Sequence, residues 1–239
     1  MHLPSFCVIL PMYNEASNAE ACVLELSSFL DGVSARTAII AVNDGSSDGT
    51  LGKLNSLTLK HPKLIVANHP QNKGYGAANK TAFSLALVNG FDYALVMDAD
   101  RTQRIHYIEG FFEPMRQNVD FIKATRYAKG GGVDGVPFKR WAVSWLGNLF
   151  ARLVLRVPLT DYTNGFRAIK TGLLAQMDCR ENGFALLIEE VYQAKKLNAT
   201  FDEVPYRLTV RADLISNSKF IYSWKVYKSY CRNLFGGQK

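Results

Sequence analysis

Short apolar runs alternate with amphipathic segments through the first half of the chain, and this alternation is the strongest constraint on its fold. The apolar runs are too short for helices and rich in β-branched residues, so they are predicted to be buried strands. They cover residues 6–10, 38–42, 64–67 and 93–97. The segments between them have apolar residues at helical spacing and cover residues 17–30, 50–59, 76–88 and 105–116. This order predicts an α/β fold, with a doubly wound, mainly parallel sheet and helices on both faces.

The second half of the chain is less regular. A glycine-rich stretch over residues 129–136 is predicted to be a mobile loop. Two helices and a strand interrupted by a proline are also predicted, over residues 141–155, 185–197 and 200–210. At the other end of the chain, Ser17 followed by Glu20 resembles a capping box, which predicts a helix start there.

Composition excludes several classes of protein. With 239 residues, 48% hydrophobic and 21% charged, the chain is typical of a folded globular protein. No apolar run approaches the ~18 residues of a membrane-spanning helix, and the first residues do not resemble a signal peptide. A net charge of +7 favours an anionic partner. The four cysteines lack metal-site spacing and are predicted to be reduced thiols of a cytosolic protein: Cys7, Cys22, Cys179 and Cys231.

Acidic side chains follow two of the predicted strands. Asp44 follows the second strand, and Asp98 and Asp100 follow the fourth. In extended backbone, residues two apart point to the same side, so Asp98 and Asp100 are expected to face one point. Two such carboxylates suit Mg²⁺ or Mn²⁺, which takes its other ligands from water and substrate phosphates. The alternative is structural: Asp100 caps the next helix and Asp98 pairs with Arg101.

Other motif matches are weaker. Residues 45–49 match the G-x-S-x-G of a hydrolase, but no histidine follows His106 to complete a triad. Gly74 and Gly76 lack the third glycine of a dinucleotide fingerprint, and no P-loop sequence occurs. The acidic stretch at 44–48 lacks EF-hand spacing. The four histidines lack metal-ligand spacing and are interpreted as surface residues: His2, His61, His69 and His106.

Taken together and in order, five motifs resemble those of family 2 glycosyltransferases. They are Pro11 with residues 14–15, residues 43–50, residues 72–76, residues 98–100, and Asp161 with residues 164–167. The resemblance is closest to the polyprenyl-phosphate hexose synthases and runs from about residue 6 to residue 219. It implies a GT-A fold, a nucleotide-sugar donor linked to GDP or UDP, and a polyprenyl-phosphate acceptor.

The resemblance also implies which residues contact the donor. The residues expected to hold the nucleotide or to close over it are Pro11, Tyr13, Glu15, Asp44, Lys73 and Gly74. Asp98 is expected beside the ribose and the metal, and Asp100 as the principal ligand of Mg²⁺ or Mn²⁺. Relatives follow these acids with an apolar residue, Gln and His. This chain instead has Thr102 in the slot of the glutamine and Gln103 one place late, so Gln103 is a further candidate metal ligand.

Basic residues are expected to neutralise phosphate charge, because arginine forks match phosphate oxygens. By resemblance, Arg126 and Arg140 occupy basic positions that meet phosphates, and both are candidate catalytic residues beside Asp100. Arg211 and Lys219 are further candidate phosphate-binding residues, although the sequence around them departs from the family pattern.

The acceptor decides whether a general base is needed. A lipid monophosphate has a second pKa of about 6 and is largely dianionic at neutral pH, so it can attack the sugar without a general base. A single displacement of this kind inverts the anomeric centre. A sugar hydroxyl, as in polysaccharide or glycolipid synthesis, requires a base. Glu189, a further candidate catalytic residue, falls where relatives place an acid near the acceptor. The alternative interpretation is that Glu189 lies on the exposed face of a helix.

Residues 129–136 are the candidate lid. A non-catalytic nucleotide-sugar binding protein is the remaining alternative.

The chain is expected to form a GT-A domain over residues 6–210 and a basic, aromatic tail over 211–239. Residues 219–235 interleave aromatics with cations and contain no acid. This composition suits a helix in a membrane interface, or an amphipathic helix packed on the domain. We expect a cytoplasmic protein at the inner face of a membrane, held by peripheral contact or by a small membrane partner. Nucleic acid is not an expected partner, because the interleaved aromatics and cations cluster in the tail alone.

Overall fold

The computed structural model describes residues 2–209 and 224–235, and for residues 224–227 it describes the backbone alone. Its strands are β1 (Phe6–Met12), β2 (Thr37–Asp44), β3 (Leu64–His69), β4 (Tyr93–Val96), β5 (Phe121–Thr125), β6 (Gly132–Val133), β7 (Arg167–Lys170), β8 (Phe201–Pro205) and β9 (Arg207–Leu208). Its α-helices are α1 (Ala19–Asp31), α2 (Thr50–Thr58), α3 (Tyr75–Val88), α4 (Phe112–Arg116), α5 (Phe138–Leu155), α6 (Thr171–Leu174), α7 (Leu186–Lys196) and α8 (Trp224–Leu234). A 3₁₀ helix spans Ile105–Phe111.

Seven strands form one sheet in the order β3-β2-β1-β4-β7-β5-β8. β1 is parallel to β2 and β4, β2 is parallel to β3, and β5 is parallel to β8. Among the strands of this sheet that the structure describes, only β7 runs antiparallel to its neighbours. β6 and β9 form a separate parallel pair. The predicted mainly parallel sheet is confirmed, and the carboxyl ends of β1, β2 and β4 lie at one edge.

The central strands are buried on both faces, which explains their almost continuous apolar sequence. Along β1, Val8 and Leu10 belong to the apolar cluster shared with α1 and α2. The alternating residues Cys7 and Ile9 belong to the cluster shared with α3. A third cluster joins β5 and β7 to α5 and α7. Helices therefore cover both faces, as the alternation predicted.

Two local predictions are wrong in detail. The helix α1 begins at Ala19 rather than after a Ser17 cap, and the carbonyl oxygen of Glu15 accepts the Ala19 N–H at 2.8 Å. The helix predicted over residues 105–116 is a 3₁₀ helix followed by the short α4. Pro114 accounts for the break, because a residue without an N–H fits the first turn of an α-helix but not its interior.

The helix of the predicted tail, α8, packs on the rest of the fold. Leu234 is buried in the cluster that α5 and α7 contribute to. Glu181, which precedes α7, accepts hydrogen bonds from Ser229 Oγ at 2.8 Å and Asn233 Nδ2 at 2.9 Å, and it pairs with Arg232. These contacts support the second interpretation of the tail, an amphipathic helix packed on the domain, for the part that the structure describes.

One charged side chain, Lys123 of β5, is buried without a partner. It is fully buried opposite Arg167 of β7, and its Nζ forms no hydrogen bond with any residue that the structure describes. Burial, reinforced by the positive charge of Arg167, lowers the pKa of Lys123 from 10.5 to about 7. The negative charges of Glu190 and Asp161 oppose this shift without cancelling it. Lys123 therefore destabilises the fold at neutral pH.

We expect Lys123→Met to raise the free energy of unfolding at neutral pH by about 1–4 kcal/mol, because methionine fills the site without a desolvated charge. The unfolded lysine holds its proton up to a pH near 10.5, whereas the folded one loses it near 7. The destabilisation is therefore complete below pH 7 and fades as the pH rises toward 10.5.

Urea denaturation at about pH 7 and about pH 9.5 measures both effects. The matched control is Lys53→Met, because Lys53 is an exposed lysine of α2. If Lys123→Met is less stable than the unmodified protein at neutral pH, the unpaired burial of Lys123 is refuted.

Candidate active site

The loops that follow β1 and β2 are joined to each other at the carboxyl edge of the sheet. The Asn14 N–H donates to Ser46 Oγ at 2.9 Å, and Asn14 Oδ1 accepts the Ser47 N–H at 2.9 Å. Asp48 Oδ2 accepts the Ala16 N–H at 3.0 Å. These contacts fix the backbone of both loops where the sequence predicts a nucleotide.

The residues predicted to hold the base and ribose differ in exposure. Tyr13 is 39% exposed and Pro11 is half-buried, so both lie at the surface of this edge. Glu15 is buried, and its Oε2 accepts Asn18 Nδ2 at 2.9 Å. Tyr13 and Pro11 are therefore placed to meet a ligand, whereas Glu15 shapes the loop from inside. Contact of any of them with a nucleotide stays a prediction.

Asp44, at the end of β2, holds the loop predicted to close over the nucleotide. Its oxygens accept the N–H groups of Lys73 and Gly74, each at 2.9 Å. Its Oδ1 also lies 2.6 Å from His69 Nδ1, and His69 Nε2 lies 2.9 Å from Thr81 Oγ1. The interpretation of His69 as a surface residue is wrong, because it is buried against Asp44. The strand register brings the two together, since they are partners across β2 and β3.

The loop predicted to close over the nucleotide also contacts the segment before α7. A Cβ at Gly74, where φ is 99°, would collide with the Asn182 carbonyl, and the Gly76 N–H donates to Asn182 O at 2.7 Å. Glu189 of α7 holds this segment, because its carboxylate oxygens accept the N–H groups of Arg180 and Glu181 at 2.9 and 2.8 Å.

Glu189 is only 3% exposed, so its interpretation as the exposed face of a helix is wrong. Each of its oxygens already accepts a backbone N–H. Its geometry makes it a support for the nucleotide loop, and a role as a base near an acceptor stays a prediction.

Asp98 and Asp100 lie half-buried just beyond β4. Asp98 Oδ2 accepts Gln103 Nε2 at 2.7 Å, and Gln103 Oε1 accepts the Asp98 N–H at 2.8 Å. Asp100 Oδ1 accepts the Thr102 N–H and hydroxyl at 3.1 and 2.7 Å, a local turn rather than a helix cap. Arg101 pairs with Glu25 of α1, which corrects the alternative that Asp98 is its partner.

Gln103, a candidate metal ligand, is held against Asp98. It is buried, and both ends of its amide are hydrogen-bonded to Asp98, including the carbonyl oxygen that would face an ion. Gln103 therefore orients Asp98, and its own role as a metal ligand stays a prediction.

The two carboxylates fit a hard divalent cation. No cluster of three or more His, Cys, Asp or Glu side chains that could enclose a metal occurs in residues 2–209 and 224–235. Two half-buried carboxylates suit Mg²⁺ or Mn²⁺, which is commonly bound through one or two carboxylates together with substrate phosphates. Gly165 lies over this position: a Cβ there would be 3.2 Å from Asp98 Oδ1 and 2.9 Å from Tyr75 Oη.

Arg126, predicted to meet phosphate, forms a buried bidentate pair with Asp161. Arg126 Nε and Nη2 donate to the Asp161 oxygens at 2.7 and 2.9 Å, and Nη2 also donates to Thr163 Oγ1 at 3.2 Å. The Asp161 side chain is fully buried, whereas 15% of Arg126 is exposed. Burial alone would lower the pKa of Arg126, but the negative charge of Asp161 and the hydrogen bonds to it raise this pKa above its ordinary value. The guanidinium therefore stays charged. Its exposed part is what a phosphate could reach.

The remaining predicted site residues belong to the second half of the chain, and two of them lie outside the described residues. Arg140 is exposed in the first turn of α5. The candidate lid includes β6, which pairs with β9, and Arg207 of β9 contacts Asp134 at 2.8 Å. This tether makes the loop more ordered than the glycine content suggested. Arg211 and Lys219 lie outside the described residues, so their role as phosphate-binding residues stays a prediction.

Comparison with known protein families identifies the family of this chain. The sequence model of glycosyl transferase family 2 matches residues 7–177. The chain belongs to this family. The recognition from the ordered motifs is confirmed, and the protein is a glycosyltransferase with a GT-A fold.

Two relatives share much of the family 2 sequence. An undecaprenyl-phosphate mannosyltransferase of Micrococcus luteus is 28% identical over 206 residues, covering 85% of this chain and 83% of the relative. A polyprenol monophosphomannose synthase of Mycolicibacterium smegmatis is 29% identical over 208 residues, covering 85% of this chain and 77% of the relative.

A solved structure shares the fold. Glucosyl-3-phosphoglycerate synthase of Mycobacterium tuberculosis, crystallised with Mn²⁺, UDP and glucosyl-3-phosphoglycerate, superposes with a TM-score of 0.67. The alignment covers 98% of this chain and 80% of that one, at 16% identity. The likeness supports the GT-A architecture of this glycosyltransferase.

We expect Gly165→Ala to lower donor turnover by about 10- to 100-fold, because the added methyl group would displace Asp98 or Tyr75 by a few tenths of an ångström or more. The release of nucleoside diphosphate from a nucleotide-sugar measures this rate. The control is Gly172→Ala in α6, where a Cβ meets no described atom within 4 Å. Equal rates for the two variants would show that the position of Asp98 and Tyr75 next to Gly165 does not control turnover.

Proposed function

We propose that this glycosyltransferase is an inverting enzyme that moves a hexose from a GDP- or UDP-linked donor to a polyprenyl phosphate. Half-buried Asp98 and Asp100, at the same edge as the loop that Asp44 holds, support the donor half of the proposal. The names of both relatives combine mannose with a polyprenyl phosphate, and they support the acceptor half. Mannose is therefore the first hexose to test.

Within this proposal, the chain provides alignment and charge. Mg²⁺ or Mn²⁺, held by Asp98 and Asp100, would neutralise charge on the departing diphosphate. Arg140, exposed at the start of α5, and the exposed part of Arg126 would bind the acceptor phosphate. That phosphate is largely dianionic at neutral pH and needs no base, which agrees with the engagement of Glu189 by backbone N–H groups. A single in-line attack inverts the anomeric centre.

Glycolipid formation tests this function. Purified protein is incubated with labelled GDP-mannose or UDP-hexoses, a polyprenyl phosphate and Mg²⁺ or Mn²⁺, with and without EDTA. We expect a labelled lipid product from at least one donor, and a loss of about 100-fold or more with EDTA or in Asp100→Asn. The absence of product from every donor refutes the function, whereas full activity in EDTA refutes the metal alone.

A surface of α5 supports contact with a membrane. Six of its apolar side chains are exposed by 41–76%: Phe138, Val143, Trp145, Leu146, Phe150 and Leu153. Leu146, Phe150 and Leu153 lie on the side of the helix opposite its buried residues. No described helix is long and apolar enough to span a membrane. Residues 135–160 contain four cations and no acid: Lys139, Arg140, Arg152 and Arg156. Exposed aromatic and aliphatic groups beside cations suit an anionic lipid surface.

The sequence predicts this contact in the tail, most of which lies outside the described residues, and the exposed side chains of α5 support a contact there. We propose that α5 brings the site to a lipid acceptor at the cytoplasmic face, by peripheral contact. All four cysteines are free, which agrees with a reducing compartment. The division at residue 210 and a small membrane partner stay predictions.

We expect Leu146→Glu to weaken binding to vesicles of phosphatidylglycerol and phosphatidylcholine by about 10-fold or more, because a buried apolar contact becomes a charge repelled by the lipid. Cosedimentation with vesicles measures the bound fraction. The control is Leu59→Glu, since Leu59 is 89% exposed on another part of the surface. Equal losses in the two variants would contradict a specific role of α5.

A further inference from the structure

A buried ion pair behind the candidate metal site has no part in the mechanism described so far. Arg167 of β7 donates to both Glu190 oxygens, through Nε at 2.5 Å and Nη2 at 2.6 Å. Both side chains are fully buried. Removing two charges from water is costly, and the sequence motifs alone gave Glu190 no role.

The remaining donors of Arg167 point toward the active site. Its Nη1 donates to Gly165 O at 2.7 Å and to Tyr75 Oη at 3.3 Å. Its Nη2 also donates to Asn79 Oδ1 of α3 at 3.3 Å. A single guanidinium thus joins the segment before β7 to the first turn and a half of α3. Glu190 fixes the plane of that guanidinium from the far side.

Tyr75 and Gly165 both border Asp98. A Cβ at Gly165 would lie 2.9 Å from Tyr75 Oη and 3.2 Å from Asp98 Oδ1, so the hydroxyl and the carboxylate both lie next to this glycine. The Tyr75 ring is held by stacking on Phe184, with centroids 4.8 Å apart. Because Arg167 donates to the Tyr75 oxygen, the proton of that hydroxyl is directed away from Arg167.

We propose that Glu190, Arg167 and Tyr75 form a positioning chain that sets the orientation of Asp98 toward the divalent metal. The inference rests on the proposed function insofar as Asp98 is a metal ligand. Gln103 fixes Asp98 from one side, and Tyr75 over Gly165 borders it from another. Groups that orient metal ligands typically change metal affinity by about 10- to 100-fold when altered.

Two substitutions separate this role from a structural one. Tyr75→Phe removes one hydroxyl and keeps the ring stacked on Phe184. Glu190→Gln keeps the shape but leaves Arg167 without its negative partner. The control is Lys170→Gln, which breaks the 2.8 Å ion pair with Asp120 at the other end of β7. Circular dichroism and urea denaturation establish that each variant is folded.

The test is the binding of Mn²⁺ in the presence of UDP or GDP, measured from the electron paramagnetic resonance signal of free Mn²⁺. We expect Tyr75→Phe and Glu190→Gln to weaken Mn²⁺ binding by about 10-fold, and Lys170→Gln to leave it unchanged. Unchanged Mn²⁺ affinity in folded Tyr75→Phe overturns the inference, as does a failure of the unmodified protein to bind Mn²⁺ with either nucleotide.

The outcomes for the inference and for the proposed function are distinct. Mn²⁺ binding requires neither a hexose nor a lipid acceptor. If the unmodified protein binds Mn²⁺ and the variants lose affinity, the positioning chain stands even when no glycolipid forms. If glycolipid forms and folded Tyr75→Phe binds Mn²⁺ normally, the function stands and the positioning chain is refuted.

Discussion

Parallel pairing of β1 with β2 on one side and β4 on the other is the constraint on which the candidate site depends. Because these strands run in the same direction, the acids at their carboxyl ends are brought to one edge of the sheet. Asp44 ends β2, and Asp98 and Asp100 follow β4. The antiparallel β7 then enters beside β4, with Arg167 opposite Val96. A shift in this register would separate the carboxylates from the segments that hold them.

The acidic side chains of this region differ in burial and in the groups that they contact. Asp44 and Glu189 are each 3% exposed and accept backbone N–H groups, so they fix loops in place. Asp161 and Glu190 are fully buried and are paired with arginines. Asp98 and Asp100 differ from all of these because they are half-buried at the surface of the edge. Two of these acids thus hold loops, two are paired with arginines, and Asp98 and Asp100 are placed where a ligand can approach.

Much of the architecture follows from local sequence. The apolar runs and the amphipathic segments between them predict the sheet and its helices, whereas the convergence of Asp98 and Asp100 on one point stays a prediction, because β4 ends at Val96. Pairings across strands are different, because register and not local pattern creates them. His69 meets Asp44 only through the alignment of β3 with β2, and Arg167 meets Tyr75 across 92 residues of chain. A buried Glu189 and an exposed face on α5 likewise depend on where the helices pack.

The site is also linked to the C-terminal helix. Glu189 holds the segment that contacts Gly74 and Gly76, and Glu181 in that segment is hydrogen-bonded to Ser229 and Asn233 of α8. The loop predicted to cover the nucleotide is therefore supported by α7 directly and by α8 through one intervening residue. α8 and α5 also share an apolar cluster, so both helices pack near the candidate site.

Anomalous diffraction from a crystal grown with Mn²⁺ and a nucleoside diphosphate shows whether Asp98 and Asp100 hold the metal. We expect a manganese peak about 2.0–2.3 Å from a carboxylate oxygen of Asp100, with Asp98 in its coordination shell or one water away, and with the diphosphate as a further ligand. A nucleotide bound at this edge with manganese elsewhere, or with Asp98 and Asp100 turned away from the diphosphate, would contradict it.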